Sequence, residues 1–217
     1  MEKEAWGVVQ SLISAASGLF GVWFGGYLTN QREEKRQSVE RQQAATYLAT
    51  LVLAHLDRFI EDCVAVAYDD GTSEGQPAGG DGYHQATTSV PTFDPLGMNV
   101  DWKAISADIM YEILNLPHRS NELQRHLSDP GFDDPPDYWD YFWARQHEYA
   151  KLGLEVVALA SRLRSWAELP ATRPGPHGRP RETLFKERVD HLVGVRRDVD
   201  ERRAVFTWVT PPVQSAP

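Results

Sequence analysis

Histidine and carboxylate side chains are the groups in this 217-residue chain best suited to metal or acid–base chemistry. The closest pairs are Glu122 with His126 and Glu187 with His191, each separated by about one helical turn. A metal site on helices typically uses an HExxH helix or repeated Glu-x-x-His pairs, and the chain contains neither pattern. The sequence therefore predicts no metal ligands.

Motifs for nucleophilic catalysis and phosphate binding are also missing from the sequence. It has no GxxxxGK[ST], GxGxxG or GxSxG pattern, so it lacks the glycines of a phosphate loop or a strained nucleophile turn. Cys63 lies among apolar residues at helical spacing, which favours a buried structural thiol. We predict no catalytic residue and no cofactor, and we favour a protein without enzymatic activity. A membrane-tethered enzyme is the least favoured alternative.

Aromatic residues are dense near position 140, where Tyr138, Trp139, Phe142 and Trp143 fall within six positions. One interpretation is a platform for a ligand or a partner. The other is an aromatic core at the start of a long helix, and we favour this second interpretation. The sequence identifies no small-molecule ligand.

The most distinctive pattern is a run of 27 uncharged residues from Ala5 to Gln31. At about 1.5 Å per residue, a helix of this length exceeds the ~30 Å hydrocarbon core of a bilayer. Trp6 lies near one end of the run and Trp23 and Tyr27 near the other, as interfacial aromatic anchors do. The sequence predicts a single transmembrane helix over residues 1–31. A buried helix or a cleaved signal peptide fits less well, because the run holds five glycines and follows a leader that is not basic.

Small residues form a stripe, called the seam below, along this predicted helix. The stripe has alternating steps of four and three residues and consists of Gly7, Ser11, Ser14, Gly18, Gly21 and Gly25. Membrane helices associate through close backbone approach, so a stripe of period 3.5 predicts left-handed, coiled-coil-like packing. The partner would be a second copy in a homo-oligomer or another membrane protein. The alternative is that the glycines reflect only their tolerance in lipid.

Basic residues follow the run and predict its orientation. Arg32, Lys35 and Arg36 lie on the carboxyl side, so the positive-inside rule predicts an outer amino terminus and a cytoplasmic body in a bacterial-type inner membrane. The same three side chains are candidate contacts with lipid headgroups. A plain solvated stalk is the alternative, and residues 32–44 are predicted to be a charged helical stalk.

The remaining body, residues 45–208, is predicted to be an all-α, up-down bundle of about four main helices. Apolar residues at helical spacing predict a buried face that includes Leu48, Val52, Leu56, Ile60 and Cys63. Further helices are expected at about 100–116, 120–127, 135–169 and 181–204. The connections are a flexible loop at 69–82, an extended segment at 90–98 held on the bundle surface and a proline-rich linker at 170–180. Residues 209–217 are predicted to be a disordered tail.

Charge is unevenly distributed within the net charge of −9. Residues 57–140 carry seventeen acidic and four basic side chains, whereas residues 142–217 carry nine acidic and thirteen basic ones. The basic end either grips an anionic partner or complements the acidic middle of the same bundle, and we favour complementation. The overall negative charge argues against nucleic acid as a partner.

The sequence favours a single-pass, membrane-anchored and oligomerising adaptor or sensor with a cytoplasmic helical bundle. The partners expected are the lipid bilayer and the chains that pack on the anchor. The alternative is a regulated, pore-type effector that permeabilises the membrane, with Gln10, Ser11, Ser14 and Ser17 lining a narrow channel. The layout is similar to that of many bacterial single-pass proteins, and the similarity is one of layout alone.

Overall fold

Four α-helices make up most of the described chain. The computed structural model describes the backbone of residues 2–132, 134–171 and 178–209, and the side chains of residues 33, 35–132, 134–171 and 178–204. The helices are α1 (Glu2–Ala67), α2 (Ala107–Leu127), α3 (Trp139–Trp166) and α4 (Arg181–Val209). Within those residues the only strands are β1 (Thr72–Ser73) and β2 (Gln76–Pro77), which form an antiparallel hairpin. The predicted all-α class is confirmed.

The chain divides into two compact units, residues 1–47 and residues 48–217. In the first unit, the side chains described between Glu33 and Ala44 are all exposed. Local pairs one turn apart support this part of α1, including Arg36 with Glu40 at 3.0 Å. Lys35 and Arg36, two of the candidate headgroup contacts, lie in this solvated stretch.

Several sequence predictions fall on the amino-terminal part of α1. The seam from Gly7 to Gly25, the aromatic anchors Trp6, Trp23 and Tyr27, and Arg32 all lie outside the residues whose side chains are described. Within the described part of the chain, no helix combines the length and the apolar character needed to cross a membrane.

In the second unit, α3 lies among the other three helices and runs antiparallel to each of them. Arg164 pairs with Asp57 of α1, and Arg145 pairs with Asp69, two residues beyond the end of α1. The pairs to the other helices are Arg162–Asp108 and Glu155–Arg119 for α2, and Asp140–Arg196 and Gln146–Arg188 for α4. In every set, residue numbers rise along one helix as they fall along the other. Six basic residues of the carboxyl-terminal half pair with carboxylates of the acidic middle: Arg145, Arg162, Arg164, Arg181, Arg196 and Arg203. This agrees with the interpretation that the two charge blocks complement each other.

The predicted up-down order is wrong. Because α1 and α2 are both antiparallel to α3, they are parallel to each other, and the chain must return along the bundle between them. The 39 residues between the two helices make that return, as long crossover connections do in other helical bundles. Phe93 packs edge-on against Phe59 with ring centroids 6.0 Å apart, and Val90 and Met98 pack on the core. Residues 90–94 thus agree with the predicted extended segment on the bundle surface, whereas residues 95–98 form a turn in which the N–H of Met98 donates to the Pro95 carbonyl.

Helix boundaries differ from the predictions where proline and turn geometry intervene. Pro117 lies inside a continuous α2, although the sequence predicted that the helix stops before it. An interior proline costs about 3 kcal/mol, but Ser120 and Leu127 beyond it are buried, and their burial favours continuation. At the other end, a 3-10 turn capped by Asp101 precedes α2, which begins at Ala107 instead of residue 100.

The next helix, α3, also begins later than predicted, at Trp139 instead of Pro135. Residues 135–138 form a turn, and Tyr138 has a left-handed φ of 49°. Left-handed backbone cannot continue a right-handed helix, so α3 starts at the following residue. This displacement positions the aromatic side chains described below.

Candidate functional site: an aromatic cleft beside a buried polar centre

Asp69 is the most strongly bonded carboxylate in the described chain, and it lies two residues beyond the end of α1. Its Oδ2 atom accepts from the Arg145 guanidinium at 2.7 Å and from the backbone N–H groups of Thr87 and Thr88, both at 2.9 Å. Both threonine hydroxyls and the N–H of Gly71 also donate to the carboxylate. We call this cluster, with Gln146 and Arg188, the Asp69 centre.

The ion pair of the Asp69 centre is closed to solvent, and its carboxylate is fully paired. The Asp69 side chain is 0% exposed and that of Arg145 is 2% exposed. Burial by itself raises the pKa of Asp69, but hydrogen bonds from Thr88, Arg145 and Gly71 outweigh it and hold the pKa well below its usual range. The carboxylate therefore stays ionised, and its oxygens are occupied by internal donors. An ion pair with these properties orders the fold and leaves no free group for chemistry.

Further bonds tie this centre to all the elements around it. Gln146 donates to the backbone carbonyl of Asp69 at 2.9 Å and accepts from Arg188 of α4 at 3.0 Å. Arg188 also donates to the Ala67 carbonyl at the end of α1, and its guanidinium lies 4.6 Å from the centre of the Tyr68 ring. The centre thus fixes the first residues of the long connection to α1, α3 and α4.

That connection folds back immediately after Asp69 through a glycine-dependent turn. Gly71 has a φ of 77°, and a Cβ atom there would lie 2.3 Å from the Phe142 ring, so only glycine fits without displacement. The Gly71 carbonyl accepts from the N–H groups of Ala78 and Gln85. The β1–β2 hairpin lies between Gly71 and Ala78. Glu74 and Gly75 at its tip both have positive φ, as a type I′ turn requires. The sequence predicts only a flexible loop at 69–82, and this hairpin lies within that range.

An open aromatic cleft lies beside this loop. Its volume is about 740 Å³, within the range of ligand pockets. The walls come from three segments: the loop at 79–86, the α2–α3 connection at 127–138 and the first turn of α3. The aromatic side chains that line it are Tyr83, His84, Phe132, Tyr138, Tyr141 and Phe142.

Ring contacts and backbone hydrogen bonds hold the cleft walls together. Tyr83 lies 6.3 Å from Tyr138 between ring centroids, and His84 packs edge-on against Phe142 at 6.1 Å. The N–H of His84 donates to the Pro136 carbonyl at 3.1 Å, which joins the loop to the α2–α3 connection. Tyr83 is 44% exposed whereas Phe142 is 5% exposed. The cleft therefore has a buried floor and an accessible rim.

The described lining of the cleft includes a carboxylate but no strongly basic side chain. Among its described lining residues there is one carboxylate, Asp129, and there is no lysine or arginine. The loop at 68–90, which forms one wall, contains Asp70, Glu74 and Asp81 besides the buried Asp69, and it contains no lysine or arginine.

The aromatic side chains near position 140 lie in different environments. Phe142 is buried, as the favoured core interpretation requires, whereas Tyr138 and Tyr141 line the cleft. Trp139 and Trp143 turn instead toward α4, where Arg196 lies 5.2 Å and 5.0 Å from their ring centres. Phe142 therefore agrees with the core interpretation, whereas the ligand or partner platform stays a prediction for Tyr138 and Tyr141.

Cys63 and the histidine pairs show no reactive arrangement. Cys63 is buried, and burial together with the charge of Asp62 raises the pKa of its thiol well above the ordinary value. Glu122 and His126 border a small charged groove between α2 and α3. In the described part of the chain, no three histidine, cysteine or carboxylate side chains are grouped so that they could hold a metal ion.

Sequence reasoning missed both the Asp69 centre and the cleft as assemblies. A weak signal exists for the centre, since Asp69 directly follows an apolar helix face and Arg145 interrupts another. Charged residues at such positions are buried only when they are paired. Comparison with protein-family models, curated proteins and solved structures finds no match to this chain.

Proposed function

We propose that this protein is a single-pass, membrane-anchored adaptor or sensor without catalytic activity. Its anchor would be residues 1–31, and its helical body would receive a signal through the aromatic cleft. The amino terminus would lie outside and the body in the cytoplasm, following the basic residues after the anchor. Association through the seam would raise the local concentration of the bodies, which is a mechanism that needs no chemistry.

One contrast within the chain carries this proposal. A 27-residue run without charge precedes a stretch in which the described side chains from Glu33 to Ala44 are all exposed, and the buried core begins only with Ala45 and Leu48. A globular protein has no packing use for such a solvated stretch beside a charge-free helix. An anchor with a spacer explains both features.

The anchor is tested by fractionating cells that express the full chain. We expect the protein in the membrane fraction, and we expect it to resist extraction with alkaline carbonate and to require detergent. Release by carbonate would contradict a spanning anchor. Replacing Leu12 and Val22 with arginine should release the protein in the same assay, because charge at the centre of a span is strongly disfavoured.

Oligomerisation through the seam has a matched control within the same helix. In detergent, we expect the Gly21→Ile/Gly25→Ile variant to lose the oligomers of the unmodified chain, because the larger side chains prevent close backbone approach. The control Val22→Ile/Gly26→Ile adds bulk off the seam and should stay oligomeric. Equal oligomers in both variants would contradict the seam.

The pore-type alternative rests on the polar residues Gln10, Ser11, Ser14 and Ser17 within the charge-free run. Leakage of dye from liposomes separates the two functions. An adaptor leaves reconstituted liposomes sealed, whereas a pore releases the dye and loses this activity in Gln10→Leu.

A further inference from the structure

The aromatic cleft defined above has the chemistry of a site for a positively charged group. Aromatic faces attract cations through the negative potential above the ring, and tyrosine and phenylalanine rings from three segments meet there. Asp129 adds a carboxylate to the lining, where no lysine or arginine is present among the described residues. An anionic ligand such as a phosphate would find no cation among those lining residues.

Hydrogen bonds within the walls further restrict the chemical class of ligand that fits the cleft. The backbone N–H groups of Gly79, Tyr83, His84 and Gln85 all donate within the protein, as do those of Ser128, Asp129, Phe132, Tyr138 and Phe142. These nine backbone donors are therefore already used, and the other donors of the lining include side chains such as Tyr83 and Gln85. A guanidinium also stacks on aromatic rings, as Arg196 does on Trp139 and Trp143, but its five N–H groups then need acceptors that ring carbon does not supply. A quaternary ammonium carries no N–H group and leaves nothing unsatisfied against such walls.

We propose that the aromatic cleft binds a quaternary ammonium group of the trimethylammonium type. The volume of about 740 Å³ accommodates such a group together with part of the molecule that carries it. The group is presented by a small soluble molecule or by a lipid headgroup, which share this chemistry. The site belongs to the helical body, and its existence does not depend on the membrane anchor proposed above.

Choline and its uncharged isostere 3,3-dimethylbutanol test the proposal directly. Both are titrated onto the full chain in detergent, and binding is followed by saturation-transfer NMR. The two molecules have nearly the same shape, so any preference reports the charge. We expect choline to bind about 5-fold or more tightly than the isostere, which corresponds to about 1 kcal/mol of cation–π attraction. Equal binding, or no saturable binding of choline, would overturn the proposal.

Substitutions at the rim assign the preference to this cleft. Tyr83→Phe keeps the aromatic face and should retain the preference for choline, whereas Tyr83→Leu should lower it by about 3-fold. Asp129→Asn removes the charge but keeps an oxygen that can accept from the N–H of Gly131, which is 2.8 Å from Asp129 Oδ1. It should also weaken choline binding about 2- to 3-fold, and added salt should weaken binding to the unmodified chain.

The control for these variants is Tyr111→Leu, because Tyr111 is 67% exposed on α2 and does not line the cleft. Its choline affinity should match that of the unmodified chain, and an equal loss in Tyr111→Leu would contradict the assignment.

Bilayer discs then separate the two sources of the quaternary ammonium group. In discs of phosphatidylcholine, NMR signals of the cleft residues that shift without added choline identify a lipid headgroup. In discs of phosphatidylglycerol, a shift only on adding choline identifies a soluble molecule. An arginine-rich peptide that binds where choline does not would overturn the proposal in favour of a peptide groove.

Discussion

The Asp69 centre and the aromatic cleft share the same loop but differ in what they leave available. Asp69 is 0% exposed at its side chain and accepts six hydrogen bonds at its carboxylate. The cleft, a few residues further along, presents aromatic faces to solvent and satisfies its backbone donors internally. Buried and fully paired polar groups therefore have a structural role here, whereas the solvent-accessible aromatic faces of the cleft are the candidate for binding.

The two regions are also mechanically linked. Gly71 donates to Asp69 and accepts from Gln85, and a Cβ atom at Gly71 would overlap the Phe142 ring on the cleft floor. Damage to the centre should therefore disturb the cleft. Changes at the cleft rim should leave the centre intact, and this asymmetry makes the comparison testable.

The largest effect is expected for Asp69→Ala. Removing one member of a buried pair leaves Arg145 charged and unpaired, which costs about 3–5 kcal/mol in the free energy of unfolding. Chemical denaturation of the full chain in detergent measures the loss. Glu61→Gln breaks an ion pair with Arg181 whose glutamate is 63% exposed, and it should cost at most about 1 kcal/mol. Similar losses in both variants would show that the Asp69 centre is no more than a surface pair.

A somewhat smaller loss is expected for Gly71→Ala. It combines strain at a φ of 77° with overlap of the new Cβ and the Phe142 ring, together about 2–4 kcal/mol. Gly75→Ala is the matched control, because its φ is 76° and nothing lies within 4 Å of the added atom. The control should lose about 1 kcal/mol. If the two losses are equal, the close contact between the loop and the cleft floor has no energetic weight.

Acid should remove part of the contribution of Asp69. Its pKa is lower in the folded chain than in the unfolded chain, where it is near 3.9. Its stabilisation is therefore complete above the unfolded pKa and declines as the pH falls toward the folded one. The difference in unfolding free energy between the unmodified chain and Asp69→Asn should be constant above about pH 5 and shrink below about pH 4. A difference that stays constant to pH 3 would contradict this assignment.

The smallest effect on stability is expected at the cleft rim. Tyr83→Leu changes a side chain that is 44% exposed, so the free energy of unfolding should change by no more than about 0.5 kcal/mol. The same substitution at Tyr149, which is 0% exposed, should cost more because it leaves a void in the core. Thermal denaturation compares the two. A rim variant as unstable as the core variant would remove the distinction between a functional and a structural aromatic.

Local periodicity made the helical core predictable. Leu48, Val52, Leu56, Ile60 and Cys63 are all buried on α1, as their helical spacing predicts. Burial of one face is a property of neighbours three and four residues apart, so the sequence carries it directly. The same local rules placed the extended part of the connection at 90–94. They did not predict the course of α2 through Pro117, where packing of later residues outweighed a local signal.

Sequence by itself determined the helical class, the buried helix faces, the complementary charge blocks and the charge-free run that motivates the anchor. Tertiary structure alone decided the parallel course of α1 and α2, the Asp69 centre and the aromatic cleft. The centre joins residues 69, 87, 88, 145 and 188, and the cleft joins positions from 79 to 142. An aspartate or a tyrosine looks the same in the sequence whether water or protein surrounds it. The free energy of burying it depends on partners that only the folded chain brings together.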